Sequence, residues 1–193
     1  MAQVKIKDEK ILSDKKYVLK QVEFDKQKKD GSWETQKRQV FDHGNAVTVL
    51  LYNKEKKTVL LTKQFRIATY VNGNKDGLLI ETPAGLMEEK ESAEATVLRE
   101  IKEETGYAIS RVQKVYEAYS SAGVLTELIH FFVAPYSHDQ KTGKGGGLEE
   151  EGEELTVMEI AFAETLQMIE RGEIRDAKTI LLLQYAALKN LFG

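Results

Sequence analysis

The sequence has no cysteine, only three histidines and only two prolines among its 193 residues. The absence of cysteine excludes disulfide bonds, thiolate nucleophiles and cysteine-ligated zinc sites. The histidines (His43, His130 and His138) do not have a metal-binding spacing, so a bound metal would be a hard cation held by oxygen atoms. No run approaches the ~18 apolar residues of a membrane span, and no apolar signal peptide is present. We therefore expect a soluble, cytoplasmic protein without a membrane partner.

An excess of positive charge is also lacking. The 28 Lys and Arg residues are outnumbered by 31 Asp and Glu residues, which gives a net charge of −3. Nucleic acid bound through bulk charge requires a clustered basic surface, so no nucleic-acid partner is expected. The length fits one domain with a small addition, and a chain of this size buries enough surface to need no cross-link.

The N-terminal part of the chain predicts a small antiparallel unit. Alternating residues at 17–25 and 33–41 flank Asp30-Gly31, which is a strong hairpin signal. Because a lone hairpin is rarely stable in water, this unit, residues 1–44, must pack on the rest of its chain or on a second subunit.

Residues 45–193 alternate between strand and helix patterns and predict a mixed-sheet α/β domain. Strands are predicted at 46–52, 58–65, 78–82, 112–119, 127–134 and 155–160, with helices at 92–105, at 163–171 and after Asp176. The polar, glycine-rich stretch 137–152 suits no regular element, and a loop of this length is usually functional or disordered.

The helix predicted at 92–105 begins at an N-cap serine, Ser92, and ends at Gly106. Three glutamates share one side of it at ~100° per residue. They are Glu100, Glu103 and Glu104.

The usual explanation of a glutamate-rich helix is a solvated face, but the position of these residues argues against it. Like charges four residues apart repel. Two of the glutamates also occupy the last turn, where the helix dipole favours cations. A divalent cation among them explains the crowding, since Mg²⁺ takes one or two protein carboxylates and shares its other positions with water and substrate phosphates. Arg99 and Glu103 have the i,i+4 spacing of an ion pair.

The same segment carries a longer motif. Gly85 is followed after five residues by Glu91, and seven residues later by Arg99-Glu100-Ile101-Lys102-Glu103-Glu104-Thr105-Gly106-Tyr107. This pattern resembles the Nudix box at every specified position. Nudix hydrolases cleave a phosphoanhydride of a nucleoside diphosphate linked to another group, with Mg²⁺ or Mn²⁺. The resemblance implies their fold, a mixed β-sheet sandwiched between helices.

The resemblance also implies roles for the box residues. Metal ligands would be Glu100, Glu104 and the backbone carbonyl of Ala84. Glu103 would be a ligand through water or an auxiliary, Arg99 would orient the glutamates, and Glu91 would brace the loop.

Similarity extends to most of the chain. It covers residues 10–14, 29–31, 37–38, 64–66, 71–74, 126–132, 145–147 and 172–176, with Lys178 and Thr179. These stretches resemble the GDP-mannose hydrolases, within the nucleoside-diphosphate-sugar branch of the superfamily. The branch is dimeric, so the resemblance implies a homodimer in which residues 1–44 are exchanged between subunits.

In that branch a loop glutamate binds metal and helps to activate water. The resemblance assigns this role to Glu151, with Glu150 as its rival, whereas a solvated acidic loop is the alternative. Positions that match substrate contacts in the branch are Lys37, Arg38, Arg66, Gly85, Leu86, Glu127, Glu150 and Lys178.

The expected reaction is therefore Mg²⁺-dependent hydrolysis of GDP-mannose to GMP and mannose 1-phosphate. One alternative is ADP-ribose pyrophosphatase activity, which yields AMP and ribose 5-phosphate. Against this alternative, Ser121-Ala122-Gly123 lacks the proline that many ADP-ribose pyrophosphatases carry at the middle position. Gln39 stands where related chains often have an acidic residue, so the base and sugar preference stays open. A non-catalytic, nucleotide-sensing Nudix domain is a further alternative, although the box here is complete and no basic segment is appended.

Overall fold

A three-stranded antiparallel sheet forms the N-terminal part of the computed structural model, which describes residues 3–148, 150, 152 and 154–193. Its strands are β1 (Val4–Ser13), β2 (Val18–Gln27) and β3 (Trp33–Asp42), in that order. The β2–β3 hairpin confirms the sequence prediction: its turn contains Asp30, which accepts a hydrogen bond from the Ser32 amide at 2.9 Å, and Gly31 at φ 86°. Strand β1 was not predicted, because charged residues interrupt its alternation.

This sheet belongs to the first of two compact units, which comprises Met1–Asn45 and Ala118–Ile129. The second segment is attached to the end of β3 by main-chain hydrogen bonds. Phe41 donates to the carbonyl of Val124 at 2.9 Å and accepts from the Thr126 amide at 3.2 Å. The segment Ala118–Ile129, which is distant in sequence, is thereby part of the N-terminal unit.

The second unit, Ala46–Glu117 with His130–Gly193, contains most of a seven-stranded mixed sheet. The strand order is β10-β5-β4-β9-β8, with β6 paired to β5 and β7 paired to β4. The strands are β4 (Ala46–Asn53), β5 (Thr58–Phe65), β6 (Leu78–Glu81), β7 (Ala84–Leu86), β8 (Gln113–Tyr119), β9 (Leu128–Pro135) and β10 (Thr156–Ala161). Except for the short β7, all were predicted to within one residue.

Within the described part of the chain, four α-helices accompany the sheet: α1 (Ile67–Val71), α2 (Ala93–Glu100), α3 (Phe162–Glu170) and α4 (Ala177–Leu188). A π-helical turn, Ile101–Thr105, extends α2, and a 3₁₀ turn occupies His138–Gln140. Helices α2, α3 and α4 were predicted. Helix α1 was not, since five residues are too few to show a helical period.

The core lies on both faces of β4, in which every residue is buried. On one face, Val49 and Leu51 belong to the apolar cluster that includes Val97 of α2. On the other, the ring of Tyr52 packs edge-on against Phe192, with centroids 5.9 Å apart. Because successive strand residues point to opposite faces, the sheet is covered by α2 on one side and by the segment that follows α4 on the other. The mixed sheet with helices confirms the predicted fold class.

Candidate active site

The glutamate-bearing helix is shaped by its two ends and by a change of helical type. The hydroxyl of Ser92 accepts a hydrogen bond from the Ala95 amide at 3.2 Å, and Gly106 at φ 76° ends the segment, as predicted. The predicted continuous α-helix was wrong after Glu100, where the chain widens into the π-helical turn. A π turn changes the angle between the residues on either side of it and is frequent at functional sites.

Arg99 gathers three of the box carboxylates. Its Nη1 atom donates to Glu100 Oε1 at 2.8 Å and to Glu103 Oε2 at 2.9 Å, and its Nη2 atom lies 3.4 Å from Glu91 Oε2. Burial alone would lower the pKa of Arg99, but the three carboxylates outweigh it and raise that pKa. Burial would likewise raise the pKa of Glu91, which the hydrogen bonds from Thr96 and Arg99 lower instead. Arg99 therefore stays charged, and its hydrogen bonds hold the glutamates in fixed positions.

The remaining box glutamate is the most deeply buried carboxylate of the segment. Glu104 is 1% exposed and Glu100 is 9% exposed. The carboxylate of Glu100 lies directly against β7, since a carbon added at Gly85 would overlap with all three of its terminal atoms. The Ala84–Gly85 peptide, whose carbonyl is a predicted metal ligand, is thus adjacent to Glu100, and Leu86 is exposed at the end of the strand.

The glycine-rich stretch packs on the backbone of the π-helical turn. The amide of Gly146 donates to the Glu104 carbonyl at 2.8 Å, and the amide of Gly147 donates to the Glu103 carbonyl at 3.3 Å. Gly145 has φ 70°, and a side chain there would strike the Glu104 carbonyl. These glycines therefore start the acidic loop beside the box. Glu150 is exposed, and Glu151 lies outside the described residues.

A second charged cluster brings together two of the predicted substrate residues, Arg66 and Lys178. Both surround Glu81, at the end of β6, which is 3% exposed. Glu81 Oε2 accepts hydrogen bonds from Arg66 Nε and Gln64 Nε2, each at 2.9 Å, and forms an ion pair with Arg66 Nη2 at 2.9 Å. Lys178 Nζ lies 3.6 Å from Glu81 Oε1 and 2.7 Å from Asp176 Oδ1. Burial alone would lower the pKa of Lys178, but the two carboxylates raise it.

Sequence reasoning missed Glu81. The available signal was a carboxylate directly after the apolar run Leu78-Leu79-Ile80. A charged residue at the buried end of a strand requires a partner of opposite sign. Nothing local to the sequence shows that this partner is a pair of cations, one directly after β5 and one in α4.

The other predicted substrate residues belong to the first unit. Lys37 is exposed, and its Nζ atom lies 2.8 Å from Glu23 Oε2, which raises the pKa of Lys37. Arg38 is also exposed, and its Nη1 atom donates to the Lys37 carbonyl. Lys37 and Arg38 are consecutive residues of β3, so their side chains point to opposite faces of the sheet and do not form a single cationic patch.

Glu127 also lies in the first unit. It precedes β9, and its side chain is 13% exposed, so the alternative of an outward-facing strand residue was wrong. Its Oε1 atom is 3.7 Å from Nε2 of His43, whose ring packs against Tyr17 and Phe41 with centroids 5.4 and 5.9 Å away. His43 was not predicted as a neighbour of Glu127, because 84 residues separate them.

Comparison with known proteins identifies the family. A model described as the NUDIX domain matches residues 42–183. The chain belongs to the Nudix family. A second model, described as the GDP-mannose pyrophosphatase NudK N-terminal domain, matches residues 3–41.

Curated Nudix relatives match almost the whole chain. Proteins named GDP-mannose pyrophosphatase from Escherichia coli O157:H7 and from Shigella dysenteriae serotype 1 are each 49% identical to it over 189 residues, which is 98% of this chain and 97% of each relative. The Nudix domain and these relatives together indicate a pyrophosphate-cleaving hydrolase.

Nudix hydrolases generally need divalent metal ions, and the box residues suit a hard cation. The described residues contain no group of three histidine or acidic side chains that could hold a metal alone. They offer two buried carboxylates, Glu100 and Glu104, with the Ala84 carbonyl beside the first of them. This oxygen donor set fits a cation that completes its coordination with water and substrate phosphates. None of the helices within the described ranges has the length and apolar character needed to cross a bilayer.

Proposed function

We propose that this Nudix protein hydrolyses the pyrophosphate bond of GDP-mannose and releases GMP and mannose 1-phosphate, with Mg²⁺ as its cation. The observation that carries the proposal is the 49% identity, over 98% of the chain, to proteins named GDP-mannose pyrophosphatase. The match of residues 3–41 to the N-terminal domain model of such an enzyme supports it.

The metal would be held by Glu100, Glu104, the Ala84 carbonyl and Glu151. When bound, Mg²⁺ would neutralise charge on the phosphate oxygens and lower the pKa of a bound water. Arg99 keeps Glu100 pointing at β7 through the 2.8 Å hydrogen bond, so that this ligand needs no reorientation.

The attacking water would be positioned or deprotonated by a loop glutamate. We assign Glu151, with the exposed Glu150 as the rival. The Gly147 amide is bonded to the Glu103 carbonyl. A segment of four residues spans at most about 14 Å, so the loop is anchored within reach of the box.

Substrate phosphates would be bound by Arg66 and Lys178, next to the main chain of Gly85 and Leu86. Arg66 suits a bidentate contact to phosphate, whereas Lys178 acts as a point charge. Lys37, Arg38 and Glu127 would contact the rest of the nucleotide sugar.

We further propose a homodimer in which residues 1–44 are exchanged between subunits. Strand β1 leaves its large apolar side chains exposed, and a contiguous exposed apolar surface is typical of an interface. These side chains are Val4, Ile6, Ile11 and Leu12.

The dimer is tested by sedimentation of the double variant Ile6→Glu with Ile11→Glu. The double variant should sediment with the mass of a monomer, whereas the wild type should sediment with the mass of a dimer. The control Leu188→Glu, which changes an exposed leucine of α4, should also sediment as a dimer. A single-chain wild type would refute the dimer.

The function is tested by incubating the purified protein and Mg²⁺ with GDP-mannose and with ADP-ribose in parallel. Chromatography should show GMP appearing much faster than AMP, and a chelator should stop the reaction until Mg²⁺ is restored. Faster release of AMP would replace the proposed substrate with ADP-ribose. No product from either substrate would favour the nucleotide-sensing alternative.

A further inference from the structure

The Glu81 cluster, which consists of Glu81, Arg66 and Lys178, contains a buried carboxylate with two cationic partners. One oxygen accepts hydrogen bonds from Gln64 and from Arg66 Nε and forms an ion pair with Arg66 Nη2, and the other oxygen faces the ammonium of Lys178. A buried charge is tolerated only when it is paired and hydrogen-bonded. Glu81 satisfies this condition with two cations, Arg66 and Lys178, that come from different elements of the fold.

The two cations are also close enough to repel each other. The charge of Arg66 acts to lower the pKa of Lys178, against the effect of Glu81 and Asp176. Cations that converge in this way cost free energy unless an anion lies between them or binds to them. Glu81 supplies that anion from the inner side of the cluster.

The outer side of the cluster is available to a ligand. The side chain of Arg66 is 41% exposed. Its contacts with Glu81 are made by Nε and Nη2, and none of its hydrogen bonds to described residues uses Nη1. A guanidinium held along one edge presents its remaining donors in a fixed direction, and this lowers the cost of binding an anion.

The cluster is tied to the backbone next to the candidate metal position. Glu81 precedes Ala84 by three residues, so their Cα atoms are at most about 11 Å apart. The Thr82 amide donates to Thr179 Oγ1 at 2.7 Å, and Thr179 is bonded in turn to Asp176. The start of α4, which carries Lys178, is therefore attached to the segment between β6 and β7, and Arg66 is attached to the end of β6 through Glu81.

We propose that Glu81 is a positioning residue, which orients Arg66 and Lys178 to bind a phosphate of the substrate. The inference rests on the proposed function, in which those two side chains contact the phosphates. Glu81 itself does not touch the substrate. Its removal should therefore weaken phosphate binding more than it slows the chemical step.

The test compares Glu81→Gln with the wild type in steady-state hydrolysis of GDP-mannose. KM should rise about tenfold, while kcat should change by less than about threefold. A purely structural role would instead lower the unfolding midpoint and the active fraction and leave KM unchanged. The matched control is Glu159→Gln. It removes the charge of a carboxylate that, like Glu81, accepts side-chain hydrogen bonds, here from Lys56, Thr58 and Tyr136, and it should leave KM unchanged.

A second variant, Glu81→Asp, and a second ligand, inorganic pyrophosphate, test the positioning role independently of the first experiment. If Glu81→Gln does not fold, Glu81→Asp keeps the charge but withdraws the carboxylate, and it should still raise KM. Binding of inorganic pyrophosphate, measured by calorimetry, should weaken by a similar factor in both variants. If the wild type hydrolyses no nucleotide sugar, the proposed function fails, and pyrophosphate binding alone then decides the role of Glu81. Unchanged KM and unchanged pyrophosphate affinity would overturn the inference.

Discussion

The close contact between Gly85 and Glu100 predicts a large effect from a single added methyl group. In Gly85→Ala the new carbon would lie 2.7 Å from Glu100 Oε2 and closer still to the other two atoms of the carboxylate. Because non-bonded carbon contacts settle near 3.5 Å, the carboxylate must retreat by about 1 Å or more. Its hydrogen bond to Arg99 at 2.8 Å resists that movement.

The expected cost follows from that displacement. A 1 Å misplacement of a catalytic group costs about 100-fold in rate, and overpacking of this kind costs about 1–3 kcal/mol of stability. We expect Gly85→Ala to lose about 100-fold in kcat/KM at limiting Mg²⁺ and to fold with a lowered unfolding midpoint. The assay is release of nucleoside monophosphate across a Mg²⁺ titration.

Two controls separate this effect from a general defect. Gly123→Ala adds the same methyl group where no atom lies within 4 Å and where φ is not positive, so it should behave as the wild type. The double variant Gly85→Ala with Glu100→Gln should lose no more than Glu100→Gln alone, because both changes act on one carboxylate. Activity of Gly85→Ala within about threefold of the wild type would refute the reasoning.

Two further predictions concern single side chains. Glu104→Gln should reduce turnover by about 100-fold or more with the fold intact, as measured by kcat and the unfolding midpoint, and near-normal turnover would remove Glu104 from the metal site. Burial lowers the pKa of His130 below its usual value of 6.5. The unfolded chain therefore binds more protons than the folded protein below that pH, and stability falls as the solution is acidified. His130→Gln should lose less stability than the wild type between pH 8 and pH 5.5, whereas the exposed His138→Gln should follow the wild type; equal losses in all three proteins would contradict the assignment.

The parts of the fold that could be predicted are those whose signals are local. The Asp30-Gly31 turn, the Ser92 cap and the Asp176 cap each depend on hydrogen bonds within a few residues, and the structure contains all three. The box glutamates were found for a similar reason, since their spacing along one helix is visible in the sequence.

The features that were missed depend on tertiary contacts. Sequence period gives the angle between residues of a regular helix, but it shows neither that the helix widens after Glu100 nor that glycine-loop amides bind its last turn. The partners of Glu81 come from β5 and from the start of α4, the latter 97 residues away at Lys178. Individual arginines and lysines are mostly surface charges, so in the sequence only the resemblance supported the proposed substrate roles of Arg66 and Lys178.

The glycine loop explains how carboxylates are tolerated at the wrong end of a helix. The last carbonyls of a helix lack partners within it and carry the negative end of its dipole. Here the amides of Gly147 and Gly146 bind the carbonyls of Glu103 and Glu104, so that main-chain donors do what lysine or arginine would otherwise do. These amides bind backbone carbonyl oxygens, so they do not compete with a divalent cation for the glutamate side chains. The glycines and the box therefore form one structural feature, even though 40 residues separate Gly146 from Gly106.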